Sequence, residues 1–164
     1  MRLLVLSQFW YPENGVPQRR WTWLSNIFSE IGGDISVVAP PPNYRRKLGF
    51  RDSLKSFLPN AQIETGPAGE VIYRSPFLYA GESLAGRAFS QAFIAAGALI
   101  TVARNWGRIR NVDAVVGTVP ALPTAVVSFL VARVLRVPYV IDLRDAWPDL
   151  MNCLLYTSDA ADEE

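Results

Sequence analysis

Apolar and polar positions follow one another along this chain in two different periods. Five short apolar runs have the length and the leucine or β-branched content of buried strands, namely residues 3–7, 35–39, 71–74, 114–117 and 139–143. Three longer segments carry apolar residues on one face, as helices do, namely residues 17–31, 84–108 and 122–135. Strands that alternate with helices indicate right-handed crossovers and a parallel sheet covered on both faces. The pattern therefore predicts an α/β fold, a Rossmann-like parallel sheet with helices on both faces.

Glycine and proline mark the places where the regular pattern stops. Gly32-Gly33 predicts the end of the first helix, because glycine tolerates the left-handed conformation of a helix C-cap. Residues 40–69 have no clear period and are rich in proline, glycine and basic residues, so we expect a long loop that is functional or mobile. Within it, the run Arg45-Arg46-Lys47 is either solvated charge or a contact for phosphate or anionic lipid.

The most apolar segment of the chain covers residues 88–103. It is interrupted by Ser90 and Gln91 and is shorter than the roughly 20 residues that a membrane span needs. We expect a buried helix here, and an interfacial membrane helix is the alternative.

The last twelve residues, 153–164, depart from the pattern of the rest. No further strand and helix follow, and the composition turns abruptly acidic. The segment resembles the translated adapter read-through that truncates some assembled metagenomic reading frames, and an ordinary acidic tail is the alternative. We therefore expect one domain over residues 1–152 and a non-native tail over residues 153–164.

Composition and charge exclude several classes of function. Half of the 164 residues are hydrophobic and the formal net charge is +1, which argues against disorder and against a broad nucleic-acid interface. The chain has no histidine and a single cysteine, so histidine acid-base chemistry, histidine-ligated metals and an internal disulfide framework are all excluded. The N-terminus has no signal-peptide pattern. We expect a cytoplasmic protein.

The candidate chemistry lies in the loops that follow the strands, because ligands of open parallel sheets bind at the carboxyl ends of the strands. After the first strand, Asn14-Gly15 predicts a tight turn, and Pro17 suits a first helical position. Arg19 and Arg20 then fall in the first helical turn, where cations oppose the helix dipole at a cost of a few tenths of a kcal/mol each. A bound anion would reverse that cost. Alternatively, both arginines bend into solvent or pair with Glu13.

Two later loops carry further candidates. Arg144, Asp145 and Asp149 surround Trp147 after the last strand, a set that suits sugar hydroxyls, although an ion pair with Trp147 as an apolar plug is equally compatible. Thr118 precedes the third helix and could present its hydroxyl beside backbone amides, or it could belong to a purely structural loop. The chain has neither Gly-x-Gly-x-x-Gly nor a Walker lysine, which disfavours a standard dinucleotide site and a P-loop.

Four of these segments, in order, resemble a known family. VLSQFWYPENGVPQRRW, VVAPPPNY, VVGTVPALP and VIDLRDAWPDL are similar to the N-terminal half of family 4 glycosyltransferases of the GT-B fold, with the WbuB-like branch of surface-polysaccharide assembly as the nearest. The resemblance covers about residues 1–150. It implies an acceptor-holding first domain, and a second domain, not contained in this sequence, that binds the nucleotide-sugar and carries a Glu-x7-Glu motif. It also implies transfer with retention of configuration, no metal, and no cofactor besides the nucleotide-sugar co-substrate.

The resemblance also suggests roles for the candidate residues. Asn14-Gly15 matches the position of a glycine pair that approaches the donor diphosphate, which would place Arg19 and Arg20 at the interdomain cleft. Val16-Pro17 stands where a second glycine is common, so the acceptor phosphate is an equal candidate for this contact. Arg144 and Asp145 match an Arg-Asp-x-Trp-Pro segment, which implies cleft structure or acceptor contact. The resemblance identifies no catalytic residue in this half.

The sequence thus predicts the acceptor-binding domain of a retaining, nucleotide-sugar-dependent glycosyltransferase that is inactive alone. Its expected partners are a nucleotide-sugar and a glycan or lipid-linked acceptor of cell-surface polysaccharide or glycolipid synthesis, with peripheral contact to the inner membrane face and no nucleic acid. One alternative is a GT-B-like sugar-nucleotide epimerase, which the absence of histidine weakly disfavours. The other is an α/β module that binds a membrane or partner through residues 84–110 and the basic loop.

Overall fold

A computed structural model of the chain describes residues 1–13, 15–42, 63–78, 83–119 and 122–143. In this part of the chain, the strands are β1 (Arg2–Leu6), β2 (Asp34–Ala39), β3 (Ile63–Thr65), β4 (Val71–Arg74), β5 (Ala114–Val119) and β6 (Tyr139–Leu143). The helices are α1 (Val16–Glu30), α2 (Leu84–Arg104), α3 (Trp106–Ile109) and α4 (Leu122–Leu135). The strands form one sheet in the order β3-β4-β2-β1-β5-β6.

The sheet is parallel except at one edge. β1 pairs in parallel with β2 and β5, β2 with β4, and β5 with β6, whereas β3 runs antiparallel to β4. One core cluster packs side chains of α2 and α4 against one face of the sheet, and a second cluster packs Trp21, Leu24 and Phe28 of α1 against the other. The expected α/β, Rossmann-like fold is therefore confirmed.

The central strand β1 illustrates why its residues form a buried strand. Leu4, Val5 and Leu6 are all fully buried. Leu4 and Leu6 belong to the cluster under α2 and α4, while Val5 belongs to the cluster under α1. Successive side chains of a strand point to opposite faces, so a strand covered on both sides needs apolar residues at every position. Burying each of these side chains contributes about 1.5–3 kcal/mol.

The end of α1 follows the sequence prediction. Gly32 has φ 74°, in the left-handed region, and its N–H donates to Ser29 O at 2.9 Å. The N–H of Gly33 donates to Phe28 O at 2.9 Å. These two bonds form a Schellman motif, which satisfies carbonyls that the last helical turn would otherwise leave unpaired.

Two predicted elements require correction. The segment 84–108 is not one helix, because it breaks at Asn105, whose side-chain Nδ2 and backbone N–H both donate to Thr101 O, at 2.9 and 3.1 Å. The long loop predicted over 40–69 contains strand β3, which a five-residue connection joins to β4. In that connection Gly66 N–H donates to Glu70 O at 2.8 Å, and Gly69 has φ 85°. Residues 43–62, with the basic run 45–47, lie outside the described residues, as does the tail 153–164.

The expectation of a buried helix over 88–103 is also only half correct. The side of α2 with Ile94, Ala98 and Val102 is buried in the core, while Phe89 and Ile100 on the other side are 55% and 45% exposed. Gly97 allows a close approach on the buried side, since a Cβ there would lie 2.6 Å from Pro76 O. None of the helices in the described ranges combines the length and the apolar character that crossing a bilayer requires.

Helix α4 lies close against β5. A Cβ on Gly117 would come within 2.8 Å of both Cβ and Oγ of Ser128, so glycine is what permits this spacing. Tyr139 of β6 donates its hydroxyl hydrogen to Ala125 O of α4 at 2.9 Å, and burial raises the pKa of its phenol. These contacts fix α4 and thereby the carboxyl end of β5.

Candidate functional site

The candidate site lies at the carboxyl end of the sheet, next to β1. The chain leaves β1 through α1 to reach β2 on one side, and it later returns to β5 on the other side. Open α/β sheets bind ligands at such a change of direction. Three predicted residues within the described ranges, Gly15, Arg20 and Thr118, lie around this point, and a fourth, Arg19, lies to one side of it.

Thr118 of β5 is buried rather than presented to a ligand. It is 2% exposed, and its Oγ1 donates to Ser7 Oγ at 2.9 Å. Ser7 in turn donates to Phe9 O at 2.8 Å and accepts a bond from Phe9 N–H at 3.3 Å. The hydroxyl of Thr118 therefore fixes the start of the loop after β1.

The first turn of α1 has the features of an anion-binding helix end. Gly15 is the N-cap, with φ −88° and ψ 167°, and no side chain caps the helix. The first turn contains no acidic residue, and Pro17 has no N–H to donate. Arg19 N–H donates back to Gly15 O at 3.2 Å, so Val16 and Gln18 supply the remaining N–H groups at this end. Asn14, the other half of the predicted turn, lies outside the described residues.

Arg20 has a partner that the sequence interpretation did not anticipate. Its guanidinium forms an ion pair with Asp142 of β6, and the same carboxylate accepts a bond from Trp21 Nε1 at 2.9 Å. The Asp142 side chain is 18% exposed and that of Arg20 is 41% exposed. The ion pair offsets the unfavourable position of Arg20 at the positive end of the helix dipole. The sequence signal was available, since Asp142 is a lone carboxylate in the apolar run Tyr139–Leu143.

Arg19 points to a different part of the surface from Arg20. It lines a cavity of about 480 Å³ together with Tyr11, Glu13 and Trp23, and with Pro67 from the connection between β3 and β4. Tyr11 and Trp23 are 44% and 63% exposed. A cation, a carboxylate and two exposed aromatic side chains around one cavity can bind both the hydroxyls and the apolar ring face of a sugar.

Gln18 is a buried polar residue that sequence reasoning missed. It is 4% exposed, and its Nε2 donates to Glu13 Oε2 at 3.3 Å. Within the described part of the chain its Oε1 has no hydrogen-bond partner. A buried acceptor without a donor is costly, so a hydroxyl or N–H group of a ligand would be favourable at this position. Its sequence signal was its place three residues after the N-cap, where glutamine commonly interacts with the helix end.

Arg74 was also missed, and it organises the loops around the site. Its side chain is 1% exposed and forms an ion pair with Glu64 of β3, with Nη2–Oε2 at 2.6 Å. It also donates to Pro40 O, at 3.2 Å, and to Tyr11 O. One guanidinium therefore joins the loop after β1, the end of β2 and the edge strand β3.

The remaining predicted residues cannot be placed in this arrangement. Arg144 and Asp145, together with Trp147 and Asp149, lie outside the described residues. The structure thus brings together Gly15, Arg20 and Thr118 at the carboxyl end of the sheet and directs Arg19 toward a neighbouring cavity. Neither a scan of protein-family models nor a search of curated proteins finds a match to this chain.

Proposed function

We propose that this chain is the acceptor-side domain of a retaining, nucleotide-sugar-dependent glycosyltransferase of cell-surface polysaccharide or glycolipid synthesis. The observation that carries the proposal is the first turn of α1, which lies beside β1 with no cap and no acidic residue. The four sequence segments that resemble family 4 glycosyltransferases support it, since they include the loop after β1. The chain alone holds the acceptor and transfers no sugar.

In this proposal the first turn of α1 binds a phosphate group of the acceptor or of the donor. The N–H groups of Val16 and Gln18 and the guanidinium of Arg20 converge on the anion, and the buried Oε1 of Gln18 accepts a hydrogen bond from a neighbouring hydroxyl. When a phosphate replaces Asp142 as the partner of Arg20, the Asp142 carboxylate still accepts the hydrogen bond from Trp21 Nε1 at 2.9 Å.

Binding of pyrophosphate to the complete 164-residue chain tests the site. We expect calorimetry to detect binding that Arg20→Gln weakens by about tenfold, the effect of losing one charge-assisted hydrogen bond. Arg19→Gln should weaken binding less, because Arg19 lines the neighbouring cavity. Arg2→Gln is the matched control, because Arg2 is exposed at the amino end of β1, opposite the site. Absence of binding, or equal weakening by all three changes, would contradict the proposed site.

The assignment as half of a transferase has its own test. The source DNA, sequenced beyond codon 152, should continue into a second domain with a Glu-x7-Glu motif. A frame that stops after Glu164, or sugar transfer by the 164-residue chain alone, would refute the assignment even if pyrophosphate binds.

A further inference from the structure

Helix α2 is apolar on its outward side as well as on its buried side, unlike an ordinary surface helix. Its buried side includes Ser90 and Thr101, and Thr101 Oγ1 donates to Gly97 O of the preceding turn at 2.8 Å. Its outward side exposes Phe89, Leu99 and Ile100, and residues 88–103 contain no charge. Surface helices normally direct polar residues to water and apolar ones to the core. The outward side of α2 is therefore suited to a less polar environment than water.

Helix α4 beside it is also apolar on both sides. Thr124 and Ser128 are buried, and Ser128 Oγ donates to Thr124 O at 2.7 Å. Val126, Phe129 and Val134 point outward and are 58%, 48% and 67% exposed. Thr101 and Ser128 thus bond to the backbone of their own helices, while large apolar side chains of both helices face outward.

The two outward sides form one continuous surface. Between the helices runs a groove of about 170 Å³, lined by Leu99 and Trp106 on one side and by Leu130 and Val134 on the other. We call the exposed side chains of α2, Trp106 and α4 together the outer face. Apolar patches of this kind on soluble proteins usually mark an interaction site.

Arginines are concentrated at the C-terminal ends of the helices that form the outer face. The exposed arginines in this region are Arg104, Arg108, Arg110, Arg133 and Arg136. Between residues 83 and 138 the sequence contains a single acidic residue, Asp113, whose carboxylate accepts a bond from the backbone N–H of Arg2 at 2.6 Å. The whole chain has a net charge of only +1, so this concentration of positive charge is local. The five arginines give the outer face a strongly basic border.

We propose that the outer face binds the surface of an anionic phospholipid bilayer. Phe89, Ile100 and Phe129 enter the boundary between headgroups and acyl chains, Trp106 lies at the interface, and the arginines contact lipid phosphates. Charge complementarity favours this occupant over a second copy of the chain, because the outer face of another copy offers these arginines no carboxylate. The inference does not depend on sugar transfer.

Vesicle co-sedimentation of the complete 164-residue chain tests this inference. We expect binding to vesicles of phosphatidylcholine with about 30% phosphatidylglycerol, little binding to phosphatidylcholine alone, and weakening by salt, since each arginine near an anionic surface contributes about 1 kcal/mol. Two double variants, Ile100→Ser/Phe129→Ser and Arg104→Gln/Arg133→Gln, should each reduce binding by about tenfold or more. Ile27→Ser is the matched control, because Ile27 is an exposed apolar residue of α1 on the opposite side of the sheet.

Several results would overturn the inference. A chain that remains in the supernatant with both vesicle types contradicts it. The inference also fails if light scattering shows a dimer that the serine variant dissociates and no vesicle binding is detected. The outer face would then bind a second copy of the chain. Urea midpoints of the variants establish that each is folded, and the arginine variant decides the question if the serine variant is not.

Discussion

At the scale of single residues, the buried guanidinium of Arg74 should contribute measurably to the free energy of unfolding. Arg74→Met leaves Glu64, Pro40 O and Tyr11 O without their donor. Glu64 is 42% exposed, so water can solvate its carboxylate, and we expect a loss of about 2–3 kcal/mol rather than the full cost of breaking a buried pair. The free energy of unfolding, measured in urea, checks this value.

The partner residue supplies the control for Arg74. Glu64→Gln keeps an acceptor for Arg74 but removes the carboxylate that pairs with its buried guanidinium, so it should cost about 1–2 kcal/mol, less than Arg74→Met. If Glu64→Gln and Arg74→Met lowered the free energy of unfolding equally, the ion pair, and not the two carbonyl contacts, would account for the stabilisation by Arg74.

Residues that act locally were easier to predict than residues that act over distance. The left-handed conformation of Gly32 follows from the helix pattern that ends beside it. The partner of Arg20 could not be deduced in the same way, because Asp142 lies 122 residues later and only the sheet order brings the two together. Thr118 illustrates the same difficulty, since the sequence shows a hydroxyl in a loop but not the Ser7 side chain that it contacts.

At the scale of elements, two helical glycines should respond oppositely to alanine. A Cβ on Gly97 of α2 would lie 2.6 Å from Pro76 O, a backbone atom that cannot move aside cheaply, so Gly97→Ala should cost about 1–3 kcal/mol. Gly107 of α3 has no atom within 4 Å of that position, so Gly107→Ala should stabilise the protein by up to about 1 kcal/mol. Thermal or urea unfolding of both variants checks the signs. Destabilisation by Gly107→Ala, or none by Gly97→Ala, would contradict the packing described for α2.

Elements with a clear apolar pattern were predictable and short polar ones were not. β4, α4 and β6 begin and end where the apolar pattern indicates. The three residues of β3 include Glu64 and Thr65 and have no apolar period of their own, because an edge strand is stabilised by its pairing with β4 and by Arg74. The break after α2 was missed for a related reason: Asn105 leaves the helical conformation, with φ −104° and ψ 18°, and its side-chain Nδ2 donates to Thr101 O, which hydrophobic periodicity does not reveal.

At the scale of the whole molecule, the fold class follows from the alternation of strands and helices, but the strand order does not. β1 lies between β2 and β5, and Ser7 at its end contacts Thr118, 111 residues along the chain. The core cluster under α2 and α4 unites Leu4 and Leu6 with Val115 of β5 and Val127 of α4. Both faces of the sheet therefore depend on residues from both halves of the described chain.

This arrangement predicts the behaviour of a truncated chain. Residues 1–111 lack β5, α4 and β6, so β1 loses one neighbour and the larger core cluster loses much of one side. We expect this fragment to show no cooperative transition in urea by tryptophan fluorescence, whereas residues 1–143, which keep all six strands, should show one. A fragment 1–111 that unfolds with the same slope as the longer chain would contradict the topology.

The ion pair between Arg20 and Asp142 also has an evolutionary consequence. Asp142 is mostly buried and accepts bonds from both Arg20 and Trp21, so a change at any of the three positions alters the selection acting on the other two. Positions 20 and 142 should therefore covary among descendants of a common ancestor, although more than a hundred residues separate them.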